Sequence, residues 1–458
     1  MSPQHPSVLK KGVSDVSTEA LTTVDGPLDD TNSNGLLPLI QRAFPKAESY
    51  SVIKTIIQAN AVGYILEIVE SDCQPNKKVF MKIVDAPEYV STKKDWSDLR
   101  RTLMYARTEG RFYRNFLPKL RQRGFTSTPH VYLADYNLEG LIDETEPATA
   151  SATSCAANGK EFTALKDDPT IHGKGGLLVL ECVDDATHYQ DSPLTPSQCQ
   201  QCLKAAAQLH AATWQDTELL QIAQDNLSLA SFHLKMRNPK ELKGIVDSWK
   251  DFSAAFKDEM EAVGLVGANF DELGVRIERL ADWTSQEVTR RPTDPYATII
   301  HGDYKSMNVF LPRESDGKPV LVDFASCGIG LGMSDVAMHV RHAVRPKDLV
   351  DSGEQELVKF YWKELTTALK ERGIETDYPW DVAWYHYKLA VIDYFRFFLA
   401  RMWKSATPAT MLKKKDNKNV SLINRSPDSA MSFLRNVEAY ITEVELQNKE
   451  DGNKQCSS

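Results

Sequence analysis

One stretch constrains the fold more than any other, residues 299–335, IIHGDYKSMNVFLPRESDGKPVLVDFASCGIGLGMSD. In it His301, Asp303, Asn308 and Asp323 stand at the ends of three short apolar runs, Thr298–Ile300, Val309–Leu311 and Val320–Val322. Polar residues at strand ends, with turn residues between them, describe a site in which buried strands give rigidity and loops give chemistry. A hairpin turn over residues 313–318 returns the chain antiparallel, which brings Asp323 near Asn308.

Those residue types suit one kind of chemistry. A carboxylate and an amide carbonyl are hard oxygen donors that fit Mg²⁺, an ion that keeps waters and shares phosphate oxygens. Asp303 is left free to orient a hydroxyl and accept its proton, and Lys305 is within reach of a transferred phosphoryl group. A base, metal ligands and a cation for developing charge are the parts needed for phosphoryl transfer.

A group able to hold the nucleotide lies earlier in the chain. Residues 51–57, 63–70 and 78–84 are apolar, β-branched runs that predict a small antiparallel sheet. In the third run Lys82 shares a strand face with Phe80 and Val84, a costly place for a charge without a partner. Thr92-Lys-Lys-Asp95 resembles a capping box and opens a helical segment to Leu120, whose apolar face carries Leu99, Leu103, Tyr113 and Phe116. Glu109 lies on that face and is the candidate partner, so that Lys82 and Glu109 together hold the α/β-phosphates of ATP.

Strands are predicted at 131–136 and 177–180, separated by a long surface loop over 138–176 that is rich in Ala, Ser, Thr and Gly. Thr195-Pro196-Ser197-Gln198 is a helix start. That helix contains Cys199 and Cys202, whose spacing fits redox or zinc chemistry but is read as core-facing, because no second Cys or His pair follows. Residues 229–290 are helical and mixed in charge. Further helices are predicted near 334–342, 353–372, 380–403 and 427–446, and Lys413-Lys414-Lys415 is read as a solvated loop. No internal repeats occur.

Composition narrows the class. The net charge is 54 − 63 = −9, which argues against nucleic-acid binding through phosphate neutralisation. Seven scattered cysteines read as reduced thiols of a cytosol-like compartment. The N-terminal sequence lacks an apolar signal region, and the apolar stretch 380–403 is interrupted by Asp381, Lys388, Asp393, Arg396 and Arg401, which excludes a bilayer span. A cytoplasmic enzyme is expected, with no nucleic-acid partner; its oligomeric state is left open.

HGDYKSMN followed by VDF resembles the catalytic loop and metal motif of the aminoglycoside phosphotransferase and choline kinase superfamily, small-molecule relatives of protein kinases. TEGRFYRNFLPKL, VLECV and AQLHAATW are similar to its ecdysteroid-kinase-like (CHK kinase-like) branch. The resemblance covers about residues 45–400 and implies a bilobal, protein-kinase-like α+β fold, with a small antiparallel-sheet N-lobe and a mostly helical C-lobe. The implied division is a disordered tail over 1–35, an N-lobe over 36–182, a C-lobe over 183–446 and a second tail over 447–458.

The resemblance implies ATP and Mg²⁺ as cofactors and a small-molecule hydroxyl as acceptor. It assigns Asp303 as base or hydroxyl-positioning group with Lys305 beside it, and Asn308 and Asp323 as metal ligands. Lys82, paired with Glu109, would meet the ATP phosphates. Backbone groups of Glu181 and Val183 would meet adenine at the hinge, and Asn60 and Gly63 belong to the phosphate-covering loop. His301 braces the catalytic loop, and Asp335 caps the next helix.

Two positions depart from the pattern: the phosphate-covering loop, QANAVGY, has the single glycine Gly63, and Ala325 replaces the usual glycine or glutamine. Only eleven residues separate Asp323 from Asp335 and Ala-Pro-Glu is absent, which speaks against a protein substrate. The aromatic residues over 380–403 suit a helix core, or a cage for a cation such as choline. A non-catalytic nucleotide-binding protein of the same fold is the remaining alternative.

Overall fold

A computed structural model describes residues 22–24 and 35–455, apart from 59–60, 72, 91, 94, 144, 146–164, 166–167, 230–233 and 235–239. Of the tail expected over 1–35, only 22–24 and 35 are among these residues, and most of the 138–176 loop is not.

The first half folds as an antiparallel sheet of strands β1 (Thr22–Val24), β2 (Ala47–Gln58), β3 (Ala61–Glu70), β4 (Cys73–Asp85), β5 (Val131–Asn137) and β6 (Gly175–Glu181), in the order β1-β2-β3-β4-β6-β5. Alternation makes the sheet: Leu66, Ile68, Val79, Met81 and Val179 are buried on one face against Ile40 and Phe44. The other face is covered by the Trp96–Arg111 helix. That helix starts at Asp95, whose carboxylate accepts from the Asp98 N–H, three residues later than the expected cap at Thr92. The displacement has a local cause. A short helix, Ala86–Val90, follows β4 directly, and the Thr92 hydroxyl is spent on its Tyr89 carbonyl.

The second half is mostly helical. Short strands β7 (His188–Tyr189), β8 (Ala297–Ile300), β9 (Val309–Pro312), β10 (Val320–Leu321) and β11 (Gly328–Leu331) are set among the helices. β9 and β10 form the expected hairpin, Val320 opposite Phe310, while β8 pairs with β11, Ile299 opposite Ile329. The Pro196–Ala211 helix opens with a complete capping box, and Cys199 and Cys202 are buried and free within it. The C-terminal helix, Pro427–Gln455, runs beyond the expected end at Leu446, because no proline or cap interrupts it there.

Four helices of this half are tied by one buried carboxylate. Glu354 accepts from Arg341, Tyr387, Asn436 and Tyr440. A buried charge is tolerated only with such a full set of partners. The architecture is therefore α+β and two-lobed, a small antiparallel sheet against a helical lobe. One apolar core crosses between them, from Phe112, Phe116 and Leu180 to Leu203, Tyr304 and Phe395. Among the described residues no helix is long and apolar enough to cross a membrane.

Candidate active site

The loop expected to be catalytic is built by a single 3₁₀ turn. β8 ends at Ile300, Gly302 takes a positive φ of 77°, and Ser306–Asn308 turn back over the loop before β9. Positions 305 and 308 thereby return to Asp303. Lys305 Nζ lies 3.0 Å from Asp303 Oδ2, and Asn308 Nδ2 donates to the Asp303 carbonyl at 2.8 Å and to Oδ2 at 3.2 Å. Asp303 is thus held in place rather than left free, because the turn is too tight for its neighbours to point elsewhere.

Across the cleft, Lys82 bridges two carboxylates. Its Nζ donates to Glu109 Oε2 at 2.8 Å and to Asp323 Oδ1 at 3.1 Å. Burial alone would lower the ammonium pKa, but the Asp323 and Glu109 charges outweigh it and hold Lys82 above its ordinary value. Asp323 is pulled below its ordinary value despite burial, by Lys82 and then Lys305. Glu109 stays above its own, through burial first, with Lys82 opposing and Asp323 adding. Asp323 also occupies the left-handed region, φ 65° and ψ 58°, a strained conformation for a residue with a side chain. The hairpin pins it there, with the Val322 N–H on the Asn308 carbonyl at 3.0 Å.

The remaining candidates are less uniform. Gly63 lies within β3, opposite Lys82, rather than in a loop; a Cβ there would come 2.8 Å from the Phe80 ring, which accounts for the glycine by packing. Asn60 lies outside the described residues. At the end of β6 the Glu181 N–H donates to the His130 carbonyl at 2.9 Å, and the Cys182 N–H to the Lys78 carbonyl at 3.3 Å. The Glu181 amide is therefore already committed to the sheet. Val183 follows immediately, its carbonyl accepting from the Cys182 thiol at 3.7 Å.

Asp335 does not cap the helix it starts. Gly332–Ala343 has no side-chain cap, and the Asp335 carboxylate turns back to accept from the His301 N–H at 2.7 Å and the Gly302 N–H at 2.9 Å. Opposing its burial, the bonds and charge of His210, then His301 and the Gly302 N–H, hold this carboxyl below the usual range. His301 does brace the loop, with Nε2 donating to the Val322 carbonyl at 2.9 Å.

Sequence reasoning missed the ring stack behind Asp323. Phe324 lies flat on Phe112, with centroids 3.9 Å apart and planes 8° apart, while Tyr113, Phe125 and His301 surround it. Phe112 reaches it because the helix widens into a π turn over Phe112–Phe116. The aromatic pair after Glu109 was the available signal.

The donor set can be tested for a metal. Asn308 spends its amide nitrogen on Asp303, so its oxygen remains for an ion, and Asp323 contributes a carboxylate. Among the described residues no group of three or more His, Cys, Asp or Glu forms a cage. Two hard oxygens without a cage fit Mg²⁺ shared with phosphates.

Residues 98–365 match the phosphotransferase enzyme family (APH), more than half of the chain. A search of curated proteins found no match. Solved structures similar to the chain include a microcompartment-associated aminopropanol kinase, with 13% identity, TM-score 0.46, and coverage of 89% of this chain and 98% of that one. Another is an AMP-bound spectinomycin phosphotransferase, with 12% identity, TM-score 0.41, and 89% and 97% coverage. A third is the choline kinase LicA from Streptococcus pneumoniae, with 10% identity, TM-score 0.39, and 87% and 98% coverage.

Proposed function

This chain belongs to the phosphotransferase enzyme family, and on that premise we propose that it transfers the γ-phosphoryl group of ATP to a hydroxyl of a small molecule, with Mg²⁺. The observation that carries the reading is the Lys82 bridge between Glu109 and Asp323, set opposite the Asp303–Lys305–Asn308 loop. Two cations and three carboxylates, contributed by both lobes, suit the charges of a nucleotide and its metal.

In this reading Asn308 and Asp323 hold Mg²⁺, which supplies positive charge to the phosphates. Lys82, positioned by Glu109, meets the α/β-phosphates, and Glu181 and Val183 meet adenine. Asp303 orients the acceptor hydroxyl and takes its proton. The acceptor oxygen forms a bond to γ-phosphorus, the bond to the β-phosphate oxygen breaks, and ADP leaves. Lys305 neutralises charge at the transferring group. We place the acceptor's reacting end in the pocket beside Gly302, which is walled by Val288, Ile300, Met338 and Tyr394 with Thr289, Ser334, Asp335 and Asp393 as polar points.

That pocket is water-sized, about 30 Å³, and takes only the reacting end of an acceptor; the apolar, hydroxylated acceptor is proposed from the resemblance to the ecdysteroid-kinase-like branch. Of the rings that could cage a cation, Phe395, Phe398 and Trp403 are buried and packed on one another and on Phe252 and Phe433, and Tyr387 is buried against Trp384 and Tyr440. We further propose that the enzyme acts in the cytoplasm. The test is ATP consumption across hydroxylated compounds: choline, ethanolamine, aminoglycosides, sterols and sugars. Turnover with a sterol-like alcohol is expected. Choline turnover would overturn the acceptor assignment, and no turnover with any of them would overturn the catalytic one.

A further inference from the structure

Behind the catalytic loop lies a chain of buried polar groups that the proposed chemistry does not use. His210, fully buried on the Pro196–Ala211 helix, places Nε2 3.1 Å from Asp335 Oδ2 and Nδ1 2.7 Å from the Tyr361 hydroxyl. The same Asp335 oxygen accepts from the His301 N–H, and the other accepts from Gly302. An ionised carboxylate can only accept, so Nε2 is the donor in its bond, and in the neutral ring Nδ1 accepts from Tyr361. Tyr361, on the Gly353–Glu371 helix, is also fully buried.

A second observation is independent of these bonds. Gly332, one turn before Asp335, passes so close to the pair that a Cβ there would sit 2.2 Å from the Tyr361 hydroxyl and 2.7 Å from His210 Nδ1. Gly332 has no positive φ to explain the glycine. The space it leaves is filled by the His210–Tyr361 bond, and any larger residue would displace that bond.

We propose that His210 and Tyr361 are positioning residues for phosphoryl transfer. They fix the imidazole, the imidazole fixes the Asp335 carboxylate, and the carboxylate holds the two backbone amides immediately before Asp303. The device rests on the phosphotransferase reading only in its last step; the positioning of the His301 and Gly302 amides does not depend on it. Neither residue touches nucleotide or acceptor. Their loss therefore acts on turnover rather than on nucleotide affinity, since small displacements of a reacting group are costly even when binding persists.

The experiment uses the full chain with MgATP as probe, and water or any acceptor that supports turnover. Tyr361→Phe, His210→Gln, His210→Ala and Gly332→Ala are compared for ADP release, MgATP affinity and hydrogen exchange of the amides over 299–304. Leu365→Ala, a buried residue one turn beyond Tyr361 and outside the network, controls for lost stability. Expected are a roughly 10- to 100-fold fall in kcat for Tyr361→Phe with unchanged KM for ATP, and amide exchange faster by about tenfold. His210→Gln, which keeps a donor, should recover part of what His210→Ala loses. The proposal is overturned if exchange over 299–304 matches wild type in Tyr361→Phe and Gly332→Ala, or if Leu365→Ala lowers kcat equally. A wild-type chain that never releases ADP would defeat the phosphotransferase reading, while the exchange result would still decide the positioning.

Discussion

Two carboxylates govern this molecule, and they are held in opposite ways. Asp323 stands between the lobes, side chain 31% exposed, in a left-handed backbone conformation and shared by one lysine with Glu109. Asp335 lies wholly inside the helical lobe, and its bonds go to two backbone amides and a histidine. The first is held by charges carried on separate lobes, so it follows any change in their separation. The second is held by groups of the helical lobe alone, so it does not depend on the separation of the lobes. Under the proposed function, a site that admits a nucleotide and positions a hydroxyl has use for both: a junction that responds to charge, and a frame independent of it.

Asp303 sits on the frame side, and its substitution tests whether chemistry is there. Asp303→Asn should reduce turnover about 10²–10⁴-fold, the usual worth of a positioned proton acceptor, with MgATP affinity kept. Turnover within a few-fold of wild type would move the chemistry to the junction and erase the division.

The junction has an apolar half as well as a charged one. Phe112 and Phe324 stack between helix and hairpin, and Phe112→Ala should cost about 3–5 kcal/mol of stability by leaving a cavity. Because Phe324 directly follows Asp323, ATP affinity should fall in parallel. Denaturant unfolding and nucleotide titration on the same protein check this. Lost stability with intact affinity would mean that the stack belongs to the frame.

The charged half is smaller in effect. In a double-mutant cycle with Lys82→Met and Glu109→Gln, the losses in ATP affinity should fall short of additive by about 1–3 kcal/mol. Additive losses would show that the 2.8 Å contact carries no coupling.

How far the sequence foretold this follows from the same division. Strand ends, the 313–318 hairpin and the Thr195 cap depend on neighbours in the chain, and they were legible. The Lys82–Asp323 contact joins residues 241 positions apart, which no local period records. Asp335 illustrates the harder failure. An acidic residue in the first turn of a helix reads as a cap, and only the fold shows its carboxylate turned back to the loop before Asp303. Gly63 is the reverse case: the sequence reads it as part of a phosphate loop, while the fold sets it on a strand against the Phe80 ring.

Acid should separate the two regions as well. Burial lowers His339 to about 4 and His386 to about 3, and drives His342 well below its ordinary value. All three lie in the helical lobe. Below the unfolded value of about 6.5 the unfolded chain binds protons that the folded chain refuses, so stability present above that pH is lost as pH falls. Each histidine contributes a slope of about 1.4 kcal/mol per pH unit at most. Glu109 has the opposite sign: its raised value means that folding with it charged is costly, and protonation relieves that cost as acid is added. Asp335, held low, keeps its contribution until below the ordinary carboxylate value. Between pH 6.5 and 4 the denaturation midpoint should therefore fall, and His339→Asn, which keeps a donor near the Tyr304 carbonyl, should flatten the fall by about a third. Glu109→Gln should steepen that fall slightly, because it removes the opposing contribution. A slope unchanged in His339→Asn but flattened in Glu109→Gln would put the acid-sensitive region at the lobe junction instead.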